Sequence, residues 1–411
     1  MQPTLTESAA TVFTVLAGAG VATRPQLAVR AGLSKPTVST AVAELEAAGL
    51  AARTGTSHGN TGRSAALYGL GPAAGCVLAV DLGSTHTEVR GCALDGTVLV
   101  SRTTAAARTA ARARSGAYDA PIPGARARSG AYDANSGATG PRAAVHAALV
   151  ALAGVRVRAA VIAVPDVAPV HGGSGPRAGT SRVADAATPR VADAVASLAL
   201  PPEIPVRIEN NVNCAALTEL HEGAARGRDS FGYLQVGYGI GLGIVVGGQV
   251  LRGANGAAGE IARLPYPWAE GRESVHEGLE TYAGAGSLVR RVAAGWDPGD
   301  GPCPRTAEEL FALAAQGRPG AGAFVTAHAR EVGRLAAAVA AVLDPGLIVL
   351  GGGIGANPQL LPGVRAELAR LSWPTEVVSS MAGESGTVAG AARLAVACGV
   401  QTVTGGDRAG H

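Results

Sequence analysis

Three apolar, strand-like runs of this chain end in glycine-rich turns, and this arrangement limits the possible folds more than any other feature of the sequence. The turns are DLGST (81–85), GYGIGLGIVVGG (237–248) and LDPGLIVLGGGIG (343–355). From about residue 155 onward, such runs alternate with alanine-rich helical segments. This alternation is typical of an α/β domain.

Glycine at the end of a strand lets backbone N–H groups approach a phosphate, and the aspartate of the first turn can hold a metal ion or a water molecule. Each glycine can equally serve a tight turn and nothing more. Three such turns in one chain favour the first interpretation. They predict a nucleotide-like site that consists of Asp81, Gly83, Thr85, Gly237, Gly239 and Gly352.

A polar cluster lies between the first two turns, in the segment PVRIENNVNCAALTE (205–219). Glu209, Asn210 and Asn211 follow a short apolar run and precede a helical pattern of small residues. Open α/β sheets bind ligands at the carboxyl ends of their strands, so these side chains are candidate ligand contacts. The alternative is that Asn210 and Asn211 only cap the following helix.

The length and composition indicate a globular protein of several domains. A chain of 411 residues exceeds one ordinary core, so two or three domains are expected. Hydrophobic residues make up 47% and charged residues 16% of the chain, and no segment is long and apolar enough to span a bilayer. The net charge of +3 is too small to indicate a nucleic-acid partner by itself.

The five cysteines are scattered and form no C-x-x-C pair, so neither a disulfide framework nor a structural zinc site is expected. No basic residue precedes the apolar stretch AATVFTVLAGAGVA (9–22), which therefore does not resemble a signal peptide. We expect a cytoplasmic protein with no membrane partner.

A tandem repeat interrupts the pattern. ARARSGAYDAPIPG (111–124) is followed at once by ARARSGAYDANSGA (125–138). Two copies cannot build a solenoid, and the segment is poor in large apolar groups. We therefore expect residues 105–140 to form a disordered surface loop.

The first 70 residues have the order of a winged helix-turn-helix domain. A helical pattern is followed by the short helix RPQLAVRAG, a turn, and the longer helix SKPTVSTAVAELEAAG with Ser34 as its N-cap. The segment 50–70 then reads as a hairpin, or wing, around residues 59–63. The alternative is a helical cap that does not bind DNA.

In such a domain the second helix of the motif enters the major groove by its amino-terminal residues, and the wing reaches a phosphate or the minor groove. Leu45 and Leu50 are expected in the core. The candidate DNA-binding residues are Ser34, Lys35, Thr37, Ser39, Thr40 and Arg63.

With these motifs, and with GAAGEI (256–261) and GLETYAG (278–284), the chain resembles the ROK family of repressors and sugar kinases over roughly residues 10–400. The resemblance implies a winged helix at 1–70 and a two-lobed, actin-like (ribonuclease H-like) sugar-kinase fold. The smaller lobe would comprise 75–204 with 383–400, and the larger lobe 205–382. Nucleotide and sugar would bind in the cleft.

The family resemblance also implies a sugar-binding set, and the chain departs from the kinases within it. The kinases carry an aspartate as general base where this chain has Asn211, and a carboxamide cannot accept a proton near neutrality. Tyr238 replaces a threonine or serine and would crowd phosphates. The implied sugar or effector residues are Asn210, Asn211, Glu260, Arg263 and Glu280.

Two further features follow from the resemblance. The zinc-binding cysteines of the family are absent after Glu260, and His276 alone does not make a site, so no metal is expected. Arg263 is expected to form an internal salt bridge with Glu260 or Glu280; the alternative is that it favours an anionic ligand such as a sugar phosphate.

The resulting expectation is a regulator and not an enzyme, with no cofactor and no catalytic residue. It would bind a pseudo-palindromic operator in double-stranded DNA as a homodimer or homotetramer, most simply as a repressor that senses a sugar or sugar phosphate. The alternatives are a bifunctional ATP-dependent sugar kinase with a DNA-binding module, and a ROK regulator that binds no small ligand.

Overall fold

The computed structural model describes residues 4–58, 64–83, 86–105, 140–168, 189–267, 269–275 and 278–405. The chain divides into two compact units, the first comprising Met1–Glu209 with Ala391–His411 and the second Asn210–Gly390. The sequence predicts lobe boundaries at 204/205 and 382/383, whereas the chain divides at 209/210 and 390/391. The first boundary falls at the end of the strand Val206–Asn210, because this strand hydrogen-bonds to the sheet of the first unit.

The amino-terminal part of the first unit has the predicted order of helices and hairpin. Helices α1 (Glu7–Ala19), α2 (Arg24–Ala31) and α3 (Lys35–Ala47) pack with strands β1 (Ala22–Thr23), β2 (Ala51–His58) and β3 (Ser64–Leu70) in a sheet of order β1-β3-β2. Helix α3 begins after Ser34, whose hydroxyl accepts a hydrogen bond from the Thr37 N–H. Leu45 and Leu50 are buried, as predicted. The tip of the hairpin, 59–63, lies outside the described residues, as does the repeat at 111–138.

A short linker, residues 71–75, is bound on both of its sides. The Ala73 N–H donates to the Gly49 carbonyl of the winged helix at 2.9 Å. On the other side, the buried guanidinium of Arg158 donates to the carbonyls of Ala73 and Ala74, the latter at 2.9 Å from Nε. The linker is therefore a fixed part of the first unit.

The rest of the first unit is an α/β layer. Its strands are β4 (Cys76–Leu82), β5 (His86–Ala93), β6 (Val98–Ala105), β7 (Val157–Val164) and β8 (Val206–Asn210), and its helices are α4 (Pro141–Ala151) and α5 (Pro189–Ser197). The sheet has the order β6-β5-β4-β7-β8, and β4 is antiparallel to β5 and parallel to β7. After β5 the Asp95–Gly96 turn returns the chain to the sheet, where β6 pairs antiparallel with β5 and forms the edge.

The second unit is built on another five-stranded sheet, whose strands are β9 (Phe231–Val236), β10 (Ile240–Val246), β11 (Gln249–Val250), β12 (Leu347–Gly351) and β13 (Glu376–Ser379). Its helices are α6 (Asn211–His221), α7 (Gly278–Ala283), α8 (Ala285–Gly295), α9 (Ala307–Ala315), α10 (Pro319–Leu343), α11 (Gly352–Gly355), α12 (Leu361–Leu371) and α13 (Gly386–Thr404). The boundary between the two units at 390/391 falls within α13. The strand order is β11-β10-β9-β12-β13, in which β9 and β10 are antiparallel and β12 is parallel to β9 and β13. The apolar core lies between this sheet and the long helix α10.

A buried carboxylate holds the carboxyl-terminal end of α6 in place. Glu219 has no exposed surface, and its Oε1 accepts hydrogen bonds from the Ser380 hydroxyl and from the N–H groups of Met381 and Ala382. Its Oε2 accepts from the Ala224 N–H at 2.6 Å. A buried charge is tolerated only when its hydrogen-bonding capacity is filled, and here four donors fill it.

Replacement of this carboxylate by an amide is expected to destabilise the protein. In Glu219→Gln an NH2 group replaces one carboxylate oxygen and faces a hydrogen-bond donor, so at least one hydrogen bond is lost. The free energy of unfolding should therefore fall by about 2–4 kcal/mol in urea denaturation. Glu384→Gln is the matched control, because Glu384 is exposed in the adjacent segment. Equal stability of the two variants would contradict the role given to Glu219.

Candidate functional site

All the predicted DNA-contacting residues except Arg63 lie at the amino-terminal end of α3. Some of their side chains form hydrogen bonds within the helix, and others are exposed. The hydroxyls of Ser34 and Thr37 lie 2.7 Å apart and participate in the helix cap. Thr40 donates to the Pro36 carbonyl at 3.3 Å. Lys35 and Ser39 are exposed. Arg63 lies outside the described residues, so its role stays a prediction.

Two further exposed cations, Arg30 and Arg53, lie on α2 and on the wing strand β2. Neither is among the residues predicted from the sequence, because a single arginine in a helix or strand gives no sign of its exposure. Arg24, by contrast, makes contacts within the domain: it pairs with Glu46 at 3.5 Å and stacks on the Tyr68 ring.

The first glycine turn follows β4 in the first unit. Asp81 is buried, and its Oδ1 has no hydrogen-bond partner among the described residues. Glu88 is its cross-strand neighbour, and His86 Nε2 lies 3.9 Å from Oδ2. Burial, and then the Glu88 charge, raise the pKa of Asp81 from 3.8 to about 7. Gly83 lies two residues after Asp81, whereas Thr85 lies outside the described residues.

The second unit contains the asparagine pair at the start of α6. The Asn210 Oδ1 accepts hydrogen bonds from the N–H groups of Val212 at 2.8 Å and Asn213 at 3.2 Å. The capping interpretation therefore holds for Asn210. Asn211 is the first residue of the helix and half-buried, and its side-chain amide bonds to no residue that the structure describes.

The two glycine turns of the second unit lie against each other. A Cβ placed on Gly237 would lie 3.4 Å from the Gly353 nitrogen, next to Gly352. The turn at 237–239 is further braced by the Ala285 N–H, which donates to the Gly237 carbonyl at 2.9 Å. The structure thus brings Gly237, Gly239 and Gly352 together. The Tyr238 side chain, on the same turn, is 66% exposed.

The predicted sugar contacts of the second unit are arranged along strand β10. Glu280 Oε2 accepts a long hydrogen bond of 3.5 Å from the Ile240 N–H, at the start of the strand. Glu260 follows Gly259, whose carbonyl accepts from the Leu242 N–H at 3.1 Å. Arg263 donates from Nε to Glu260 Oε2 at 3.1 Å, so the internal salt bridge is the alternative that forms.

No group of three or more histidine, cysteine, aspartate or glutamate side chains suited to a metal ion occurs within the described ranges. His276 falls outside them. Among the helices that the structure describes, none has the length and apolar character needed to cross a bilayer.

Comparison with known proteins identifies both parts of the chain. The sequence model of the ROK family matches residues 161–397, and that of the MarR family matches residues 4–64. The bifunctional enzyme NanE/NanK of Brucella melitensis is 31% identical over 213 residues, which are 48% of this chain and 39% of that protein. The chain therefore spans about four tenths of the length of this relative.

Two solved structures share the fold at 22% identity. A ROK family transcriptional regulator, described as a homologue of the MLC protein of E. coli, has a TM-score of 0.65 over 97% of this chain and 98% of its own. A ROK family glucokinase from Streptomyces griseus, in complex with glucose and AMPPNP, has a TM-score of 0.55 over 78% of this chain and 99% of its own. The predicted winged helix and actin-like sugar-kinase fold are thus confirmed.

Asp81 makes stability depend on pH in a defined window. Its pKa is about 7 in the folded protein and near 3.8 when unfolded, so the folded state binds the extra proton and stability falls as the pH rises from 4 to 7. Asp81→Asn removes this penalty. Its free energy of unfolding, relative to the wild type, should be unchanged near pH 4 and higher by at most about 4 kcal/mol at pH 8.

Urea denaturation of both proteins across this range tests the prediction. Asp193→Asn, which changes an exposed aspartate of α5, is the control and should show no such trend. If the difference in free energy of unfolding between Asp81→Asn and wild type does not vary with pH, Asp81 is not the group that titrates.

Proposed function

This chain belongs to the ROK family, and we propose that it is a sequence-specific transcriptional regulator whose kinase-type domain binds a sugar or sugar derivative without phosphorylating it. The observation that carries the proposal is the fusion of a MarR-type winged helix to a ROK domain with asparagine at the general-base position. The winged helix supplies the DNA-binding surface, and the ROK domain supplies the sensor.

The absence of catalysis is argued from Asn211. An asparagine carboxamide donates and accepts hydrogen bonds but takes up no proton near neutrality. It therefore still contacts a sugar hydroxyl without activating it as a nucleophile. Loss of a general base costs on the order of 10² to 10⁴ in rate. The exposed Tyr238 on the glycine turn adds bulk where phosphates would approach.

Sugar binding is supported by the polar side chains on the segments packed along strand β10. Asn211, Glu260 and Glu280 all belong to segments that contact this strand, and planar amides and carboxylates suit a polyhydroxylated ligand. The salt bridge of Glu260 with Arg263 neutralises one carboxylate. This pairing favours a neutral sugar over a sugar phosphate, because Arg263 is already engaged.

DNA binding is assigned to the exposed end of α3 and the wing. In a homodimer, two such helices would read the half-sites of a pseudo-palindromic operator. Relief of repression by the sugar requires that the ligand binds the DNA-free and DNA-bound states with different affinity. A difference of about 1–3 kcal/mol is typical.

Lys35 is expected to contact a backbone phosphate. Lys35→Ala should weaken operator affinity by on the order of tenfold and make the salt dependence of log K shallower by about 1. Fluorescence anisotropy with the operator, at several salt concentrations, measures both quantities. Arg142→Ala, which removes an exposed cation of α4, is the control.

Lys35 is also the only lysine of the sequence. An amine-reactive label therefore reports this side chain alone, apart from the terminal amine, and operator DNA should protect it. Unprotected labelling, together with unchanged affinity of Lys35→Ala, would show that α3 is not the recognition helix.

The sensor is tested by calorimetry with a panel of sugars and sugar phosphates, and by ADP release with the same panel and ATP. We expect one sugar class to bind and to alter operator affinity, with no ADP release above background. Asn211→Ala should weaken this binding by on the order of tenfold through a lost hydrogen bond. Gln401→Ala, at an exposed amide, is the control.

Each alternative gives a different result in this experiment. Clear turnover would establish a bifunctional sugar kinase with a DNA-binding module. Operator binding without heat from any sugar would establish a regulator that binds no small ligand. Trace turnover in Asn211→Asp alone would leave the proposal intact, because it would show that the missing carboxylate is what prevents catalysis.

A further inference from the structure

A cavity lies in the second unit between helix α10, helix α7 and the segment 264–266. Its volume is about 150 Å³. Its walls are mainly apolar, formed by Leu264, Leu279 and Leu335 together with the rings of Tyr266 and Tyr282. Glu280, the predicted sugar contact on α7, lies instead against Gly239 and Ile240.

The aromatic wall of this cavity is held in place by hydrogen bonds and an ion pair. The Tyr282 hydroxyl donates to Glu331 Oε1 at 2.8 Å, and Arg291 donates to Glu331 Oε2 at 2.8 Å. The rings of Tyr266 and Tyr282 lie 4.5 Å apart. The charge of Glu331 is therefore neutralised by Arg291, and the tyrosine ring is fixed before any ligand arrives.

An exposed guanidinium lies at the rim of the cavity. Arg334 lines the cavity with a 60% exposed side chain, and its Nε donates to Glu367 Oε1 at 3.0 Å. Arg370 holds the same carboxylate through two hydrogen bonds of 2.8 and 3.1 Å. Two guanidinium groups thus share one carboxylate. Within the described residues, the two terminal nitrogens of Arg334 make no hydrogen bond.

We infer that this cavity binds a small apolar carboxylate, with its ring or branched chain against Tyr266, Tyr282 and Leu335 and its anionic group on Arg334. A cavity of about 150 Å³ holds an apolar group about the size of benzene. A guanidinium with uncommitted terminal nitrogens suits a carboxylate, which it binds through two parallel hydrogen bonds. The inference does not rest on the sugar proposal, because none of these residues belongs to the predicted sugar set.

Benzoate and benzyl alcohol are the probes, since they share a ring and differ in charge. Titration of the full-length protein, followed by calorimetry and by the aromatic and methyl NMR signals, should show that benzoate binds more tightly than benzyl alcohol. Arg334→Met should weaken benzoate binding by about tenfold or more, the loss expected for a charge-assisted pair, and leave benzyl alcohol unchanged. Arg330→Met, at an exposed arginine on the same helix, should change neither.

A second variant tests the cavity itself. Ala338 lines the cavity but is exposed, so Ala338→Leu narrows the entrance without disturbing the core, and it should weaken both probes. Failure of benzoate to bind, or equal affinity of wild type and Arg334→Met for benzoate, would overturn the inference. So would a concentration-dependent oligomer that Ala338→Leu dissociates, because the cavity would then receive a second copy of the chain.

Discussion

Helix α6 packs on strand β10 at a distance that only glycine permits, and the arrangement of the candidate sugar residues depends on this contact. A Cβ on Gly241 would lie 2.7 Å from a methyl group of Val212, and one on Gly243 would lie 2.8 Å from the Ala216 Cβ. Such distances exclude any larger side chain on this face of the strand. The close packing sets Asn211 beside the start of β10, and Glu219 secures the other end of the same helix.

This packing gives two glycines of the motif GYGIGLG a structural role. Its later glycines, Gly241 and Gly243, are required by the helix, and Gly352 is required by a positive φ of 81° and by a Val236 carbonyl 2.6 Å from the place of a Cβ. These glycines would be needed in the fold whether or not a nucleotide binds. The glycine-rich turns of a kinase can therefore persist in a regulator, and their presence does not argue for ATP hydrolysis.

The parts of the structure that the sequence revealed are those with local or periodic signals. The Ser34 cap, the winged-helix order and the Arg263–Glu260 pair at i,i+3 depend on residues close in sequence. Glu219 gave no such signal, because its partners Met381 and Ala382 lie some 160 residues away and contribute only backbone N–H groups. The cavity beside Arg334 was missed for the same reason, since its walls come from three separated segments.

The linker at 71–75 determines how the winged helix is held to the α/β layer of the first unit. Arg158 is buried, and the linker carbonyls of Ala73 and Ala74 are its hydrogen-bond acceptors. Each of these two hydrogen bonds from a charged group is worth about 1.5–3 kcal/mol, whereas an effector typically supplies about 1–3 kcal/mol of coupling. The linker is therefore too firmly held to yield when a ligand binds. We therefore expect the winged helix and the α/β layer of the first unit to move together.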